Sequence, residues 1–122
     1  MKKIYLACPY SHHEPKVREY RFRAACIMAG KFMQQGHIVY SPISHSHPIA
    51  MECKLPLDWS YWKDVDEFFI SVCDELWVLC LEGWEQSEGI KAELEIVERL
   101  KKPVKYIVIP RIENERKQLK LW

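Results

Sequence analysis

Short apolar runs alternate along this chain with longer segments whose apolar residues recur every three or four positions. The short runs are rich in β-branched and aromatic residues and stop at polar, glycine or proline residues, which predicts β-strands. They cover residues 3–7, 37–41, 75–81 and 104–109. The first run, KIYLA, is almost entirely apolar, so we expect it to be a buried strand.

The longer segments have the periodicity of amphipathic helices and cover residues 14–36, 59–73 and 87–101. Strand and helix alternate without an internal repeat. This order predicts a three-layer α/β/α domain, flavodoxin-like or Rossmann-like, with a mostly parallel sheet and right-handed crossovers. Residues 41–58, SPISHSHPIAMECKLPLD, contain three prolines and are predicted to form a long loop with a functional role.

Size and charge suit one domain over residues 1–122, with a charged tail over 110–122 that is either loose or docked on a partner subunit. Eighteen basic and seventeen acidic residues give a net charge of +1, which favours neither a nucleic-acid partner nor a membrane surface. Five cysteines without a C-x-x-C pair favour reduced thiols in the cytoplasm. We expect no membrane span and no export signal.

Glu93 falls inside the apolar stripe of the third predicted helix, which consists of Ile90, Leu94, Val97 and Leu100. Its neighbour Glu95 has Lys91 and Arg99 four residues to either side, so Glu95 is expected in water with helical ion pairs. The two glutamates are therefore expected in different environments.

Asp66 repeats this pattern in the second predicted helix, where Phe69 and Ile70 flank it and Asp64 points to the opposite side. Burying an ionised carboxylate without a partner is costly, so such a position usually holds a hydrogen-bond network or a reactive group. Either acid alone is explained by a half-buried position that reaches water. Both together favour the carboxylate pair that cleaves glycosidic bonds, here an N-glycosidic bond.

Ligands of α/β folds bind beyond the carboxyl ends of the strands, at helix N-termini. Residues 8–11, 41–47 and 81–87 occupy these ends, and they include Ser11 and Ser87. Ser87 and the backbone amides after it could hold a phosphate, and Ser87 is equally well explained as a helix N-cap.

Four motifs resemble the nucleoside 2-deoxyribosyltransferase superfamily: KIYLACPYS, the D-x(7)-D spacing of Asp66 and Asp74, W-x-x-S-x-G-x-x-x-E from Trp84 to Glu93, and KKPV. The resemblance spans residues 3–109. Within that superfamily, the chain looks like a member of a small, poorly characterised group of bacterial and phage proteins that share the SPISHSHPIA segment.

The resemblance implies a flavodoxin-like fold and a glycosyl-enzyme intermediate with Glu93 as the nucleophile. Asp66 matches the carboxylate that manages base and sugar, and Tyr5 matches the strand tyrosine that orients the nucleophile. The position of Ser87 is aspartate in transferases that hold a free 5′-hydroxyl and serine in relatives that hydrolyse nucleoside 5′-monophosphates. This favours a phosphorylated substrate, with Gly89 of the same motif also in the substrate site.

Arg18, Arg21 and Arg23 are candidates for the cation that binds the phosphate, and Arg21 is preferred because arginine binds phosphate through two hydrogen bonds. Each of them is equally consistent with a solvated helix face.

The sequence differs from the superfamily's transferases next to the proposed nucleophile, and the superfamily's usual assembly bears on the expected oligomeric state. Residues 90–92 stand where its transferases carry small or hydroxyl residues, so the sugar pocket is expected to differ. Its members are commonly oligomers that complete their sites from a neighbouring chain. The resemblance therefore implies a homo-oligomer, although residues 110–122 contain no matching motif.

His45 and His47 lie two positions apart and are expected either to line the pocket, in contact with base or phosphate, or to form a hydrogen-bonded turn. Their spacing relative to His12, His13 and Cys53 matches no usual pair of metal ligands, so we expect no metal and no cofactor.

Aromatic residues near the expected site, among them Trp59, Trp62 and Trp84, could stack on a base, although such residues at helical spacing are more often core. We therefore expect a small-molecule nucleoside or nucleotide as ligand and an enzyme that cleaves its N-glycosidic bond, as a hydrolase or a deoxyribosyltransferase. The alternative is a non-catalytic module of the same fold that senses a nucleotide or an ADP-ribose-type ligand. A purely structural protein would leave the two acids unexplained.

Overall fold

The computed structural model describes residues 1–109. Four strands form one sheet in the order β2-β1-β3-β4, in which every neighbouring pair is parallel. The strands are β1 Lys3–Ala7, β2 Ile38–Tyr40, β3 Glu75–Leu79 and β4 Val104–Ile107. They match the four predicted runs, and the last three are shorter than predicted. The predicted charged tail, residues 110–122, lies outside the described residues.

Helices connect the strands, and a short 3-10 turn, Trp84–Gln86, precedes the last helix. They are α1 Pro15–Gln34, α2 Pro42–Cys53, α3 Trp59–Val72 and α4 Glu88–Arg99. Gly36 follows α1 with a φ of +93°, a conformation that glycine adopts without strain. Within residues 1–109, every helix is too short or too polar to cross a membrane.

The prediction of a loop over residues 41–58 is wrong for its first two thirds, which form α2. Ser41 caps this helix because its Oγ accepts a hydrogen bond from the backbone N–H of Ser44 at 3.4 Å. Pro42 stands in the first turn, where a missing N–H removes no helical hydrogen bond. Pro48 lies inside the helix, where its missing N–H removes one helical hydrogen bond. The buried residues that face the core recur at helical spacing: Ile43, His47 and Ala50.

Side chains of the two central strands alternate between two apolar cores. One core contains Ile4, Leu6, Trp77 and Leu79, packed with residues of α1 and with Ile43 of α2. The other contains Tyr5, Ala7, Leu76 and Val78, packed with residues of α3 and α4. Helices therefore cover both faces of a parallel sheet, and the predicted three-layer α/β fold of Rossmann-like type is confirmed.

The buried face of helix α4 is centred closer to Glu93 than the apolar stripe predicted from the sequence. Its buried residues are Ile90, Glu93, Ile96 and Val97. Leu100 is 40% exposed instead of buried. Glu95 is exposed as expected, but Arg99 pairs with Glu67 of α3 at 3.7 Å rather than with Glu95.

Helix α3 turns its second acid toward the sheet. Asp66 and Ile70 are its buried residues, whereas Val72, which the sequence places on the apolar face, is 47% exposed. Two neighbouring helices thus each direct one carboxylate inward, although an aliphatic side chain would be less costly to bury at either position.

Candidate active site

A cavity of about 1250 Å³ opens at the carboxyl edge of the sheet. It lies between the loops after β1 and β3, which lead to helices on opposite faces of the sheet. Loops that diverge in this way leave the crevice in which ligands of open α/β sheets bind. The predicted site residues that line this cavity are Ser11, Arg21, Asp66, Ser87, Gly89 and Glu93.

Glu93 reaches the cavity from the first half of α4 and is only 4% exposed. The hydroxyl group of Tyr5, on β1, donates a hydrogen bond to Glu93 Oε2. Tyr5 is completely buried and lies beneath the cavity rather than in its wall. The contact fixes the orientation of a carboxylate that is surrounded by apolar residues, and the predicted pair of Tyr5 and Glu93 is brought together.

Asp66 approaches the same cavity from α3 and is 8% exposed. Burial raises its pKa from the usual 3.8 to about 7, and the nearby hydroxyl group of Tyr5 offsets part of that rise. Asp66 is thus a carboxylic acid that holds its proton close to neutral pH.

The two acids influence each other. Burial raises the pKa of Glu93 well above its ordinary value, the negative charge of Asp66 raises it further, and the hydrogen bond from Tyr5 lowers it. When one carboxylate is ionised, the other is therefore more strongly protonated. Asp66 and Glu93 form a coupled pair that shares one proton over a range of pH values.

Ser87 stands at the start of α4, where its Oγ accepts a hydrogen bond from the backbone N–H of Ile90 at 3.2 Å. The expected N-cap role is confirmed. Gly89 lies two residues further along the cavity wall, and a Cβ atom there would lie at an ordinary contact distance of 3.8 Å from Ser87 Oγ. The N–H groups of Ser87 and Ile90 are already bonded, which leaves those of Glu88 and Gly89 at the cavity wall for an anion.

Arg21 lies in the cavity wall and holds together the two loops that form it. Its Nη1 donates to the carbonyl oxygen of Ser11 at 3.1 Å, and its Nη2 donates to that of Glu82 at 3.0 Å. Gly83 follows with a φ of +88°, and a Cβ at this position would lie 2.8 Å from Arg21 Nη2. A guanidinium group carries five N–H donors, so donors remain for an anion in the cavity.

The other two candidate arginines have partners of their own. Arg18 Nη1 donates to the carbonyl oxygen of His12 and does not line the main cavity. Arg23 does line it, but its Nε is bonded to Glu19 at 3.2 Å. Of the three, Arg21 is the one that joins the two loops of the cavity wall, and its binding of an anion stays a prediction.

Three predicted contact residues lie outside the cavity wall that residues 1–109 form: His45, His47 and Trp84. His45 is exposed on α2, with its ring centre 6.0 Å from that of Tyr40. Trp84 packs beside Tyr106, with ring centres 5.5 Å apart. Because α2 and the 3-10 turn aim these side chains away from the cavity that residues 1–109 form, their direct contact with a ligand stays a prediction.

His47 is buried instead, with a hydrogen bond to the hydroxyl group of Tyr10. Tyr10 lines the cavity and was not predicted as a site residue. Only the position of Tyr10 just after β1, at a ligand-binding edge, could have pointed to it. Tyr40 was also missed, although its buried hydroxyl, which has no hydrogen-bond partner among the described residues, lies near the two acids.

Potential metal ligands do not converge in this structure. Within residues 1–109, no group of three or more histidine, cysteine, aspartate or glutamate side chains is placed to hold a metal ion.

Comparison with protein families gives one match, to the family described as a domain of unknown function, DUF1937, over residues 2–108. The chain belongs to this family. The match covers the sheet, all four helices and the cavity. Comparison with curated protein sequences gives no match.

This member of the DUF1937 family carries a chemically specific arrangement. One carboxylate is oriented by a tyrosine, a second acid titrates near neutral pH, and a helix N-terminus and a buried arginine lie in the same cavity.

Proposed function

We propose that this protein cleaves the N-glycosidic bond of a nucleoside 5′-monophosphate, with Glu93 as the nucleophile. The observation that carries the proposal is the pairing of two buried carboxyl groups, Glu93 and Asp66, at one cavity with Tyr5 bonded to the first of them. Burying two acids side by side costs free energy, and a reaction that needs both accounts for that cost.

The first step forms a bond between a Glu93 oxygen and the anomeric carbon C1′ while the bond between C1′ and the base nitrogen breaks. The electron pair of that bond leaves with the base, which takes a proton from Asp66. A pKa of about 7 suits this proton transfer, because about half of the acid is protonated at neutral pH and it gives up its proton readily. The products are a free base and a glycosyl ester on Glu93.

The second step restores the enzyme. Asp66, now ionised, takes a proton from a water molecule whose oxygen bonds to C1′, and the ester bond to Glu93 breaks. The sugar phosphate leaves with retained configuration. When a second base takes the place of water, the same intermediate yields a new nucleotide, which is the transferase form of the proposal.

Tyr5 has a positioning role in this scheme. Its hydroxyl group donates to Glu93 Oε2, which leaves the other oxygen, Oε1, for attack. The same hydrogen bond favours the ionised form of the carboxylate and so works against the effect of burial. Tyr5 thus supplies orientation and charge stabilisation without contacting the cavity.

The phosphate group is proposed to bind at the start of α4. The backbone N–H groups of Glu88 and Gly89 are available there, and Arg21 adds a fixed positive charge in the wall. The resemblance to the nucleoside 2-deoxyribosyltransferase superfamily favours the same assignment. It also favours a homo-oligomer, for which the size of the purified protein in solution is the test.

The test is a panel of nucleosides and their 5′-monophosphates, incubated with the protein and analysed for free base by chromatography. We expect base release from at least one 5′-monophosphate and slower release from its unphosphorylated nucleoside. A rise in melting temperature with nucleotides but no free base would contradict cleavage and favour the alternative, a nucleotide-sensing module.

A further inference from the structure

A second hydrogen-bond chain leads to the cavity, and the proposed cleavage steps do not use it. It runs from Glu19 on α1 through His47 on α2 to Tyr10 in the loop after β1. His47 Nε2 lies 2.9 Å from Glu19 Oε2, and His47 Nδ1 lies 2.5 Å from the Tyr10 hydroxyl oxygen. His47 is 6% exposed, whereas Tyr10 forms part of the cavity wall.

The order of the groups in this series of hydrogen bonds determines where each hydrogen atom points. A carboxylate only accepts hydrogen bonds, so the Nε2 hydrogen of His47 points to Glu19. A neutral imidazole then has a lone pair at Nδ1, and the Tyr10 hydroxyl group donates its single hydrogen to it. The Tyr10 oxygen has therefore used its donor and can only accept a hydrogen bond from a molecule in the cavity.

Neighbouring groups hold each member of the chain in place. Arg23 Nε bonds the other carboxylate oxygen of Glu19 at 3.2 Å. The ring of Phe22 packs on His47, with ring centres 4.4 Å apart and planes inclined by 30°. A link between α1 and α2 would be complete with Glu19 and His47 alone. The chain continues to Tyr10 at the cavity, which points to a role toward the ligand.

We propose that Tyr10 is a specificity-determining residue whose hydroxyl oxygen accepts a hydrogen bond from a donor group of the bound ligand. The inference rests on the proposed nucleotide ligand. Among the donors of a nucleoside 5′-monophosphate, which also include ring N–H groups and the 3′-hydroxyl group, we assign this contact to an exocyclic amino group of the base or the 2′-hydroxyl group of the sugar. A carbonyl oxygen at the same point faces the lone pairs of Tyr10 and is disfavoured.

Binding to the non-cleaving Glu93→Gln protein tests this by calorimetry in mildly alkaline buffer. Cytidine and uridine 5′-monophosphates differ by an amino group in place of a carbonyl, as do adenosine and inosine 5′-monophosphates. Cytidine and 2′-deoxycytidine 5′-monophosphates differ by the 2′-hydroxyl group. We expect the member with the amino group or the 2′-hydroxyl group to bind about 5- to 10-fold more tightly in at least one pair.

Adding Tyr10→Phe should bring that affinity ratio close to one, whereas adding Tyr106→Phe, on an exposed position of β4, should keep it. Adding His47→Leu should also lower the ratio, because the Tyr10 hydroxyl group is then free to donate. If Tyr10→Phe weakens both members of every pair equally, or leaves the ratio unchanged, the inference is overturned.

The result separates this inference from the proposed function. Selective binding that depends on Tyr10, without base release by the unmodified protein, would support the inference and overturn the cleavage proposal. Base release with no donor preference in any pair would overturn the inference alone. If none of the nucleotides binds, both are overturned.

Discussion

The Tyr5 hydroxyl group donates a hydrogen bond to the Glu93 carboxylate across 88 positions of sequence. The side-chain alternation of β1 places Tyr5 on the sheet face that α4 covers, so a strand and a distant helix together orient one carboxylate. Tyr5→Phe keeps the ring and removes the donor. We expect kcat for base release to fall on the order of 100-fold, with most of the loss in kcat rather than in KM.

Tyr106→Phe provides the matched control for this change. Tyr106 lies on the edge strand β4, is 50% exposed and makes no contact with the acid pair. Similar losses of kcat in the two variants would show that removal of a tyrosine hydroxyl acts through general disturbance and not through Glu93.

Asp66→Asn is expected to stabilise the fold, and to do so most at high pH. The pKa of Asp66 is about 7 in the folded protein against an ordinary 3.8, so ionisation is easier in the unfolded chain. Ionisation of Asp66 therefore destabilises the folded protein. This destabilisation is absent below about pH 4, grows between about pH 4 and 7, and reaches its full size above about pH 7. A rise of this size corresponds to roughly 4 kcal/mol, an upper bound on the gain.

Urea unfolding at several pH values measures this gain directly. We expect the difference in unfolding free energy between Asp66→Asn and the unmodified protein to be small near pH 4 and to reach a few kcal/mol near pH 8. A difference that stays constant over this range would contradict the burial of an ionisable Asp66.

The same titration should shape the pH dependence of base release. Cleavage requires one proton in the pair, held on Asp66 while Glu93 carries the charge. The rate should therefore fall at high pH, where both acids are ionised, with a midpoint above the Asp66 pKa of about 7, because the charge of Asp66 raises the pKa of Glu93 and delays loss of the last proton. Asp66→Asn should release base slowly and without this alkaline fall, and an unchanged profile would exclude Asp66 as the acid.

Gly83→Ala tests the role of Arg21 without changing the arginine. The new Cβ would lie 2.8 Å from Arg21 Nη2 and push the guanidinium group out of place. We expect KM for a nucleoside 5′-monophosphate to rise about tenfold. Gly36→Ala is the control, since Gly36 has a similar φ of +93° but no atom within 4 Å of the added carbon. Equal effects would indicate backbone strain alone.

Much of the fold could be predicted because its elements carry strong local signals. All four strands and three of the four helices follow from apolar periodicity, and a parallel sheet follows from their alternation. Helix α2 was missed because its prolines suggest a loop. Ser41 followed by Pro42 is nevertheless a helix-start signal, and the spacing of Ile43, His47 and Ala50 agrees with it.

The site could be predicted only in part. Glu93 and Asp66 were found because a carboxylate in an apolar stripe is visible on a helical wheel, and both are buried. The burial of His47 was not predicted, because it depends on the packing of α2 against α1, which involves residues far apart in sequence. The cavity position of Tyr10 depends on such packing as well.

The central claim is that Glu93 forms the bond to the sugar, and paired glutamate variants test it most directly. Glu93→Gln and Glu95→Gln make the same chemical change two positions apart on α4, one at a buried site beside Tyr5 and one at an exposed site. With a 5′-monophosphate that the unmodified protein cleaves, we expect Glu95→Gln to release base at the unmodified rate. Glu93→Gln should release none above background while remaining folded by circular dichroism. Base release by folded Glu93→Gln at a rate close to that of Glu95→Gln would contradict the account.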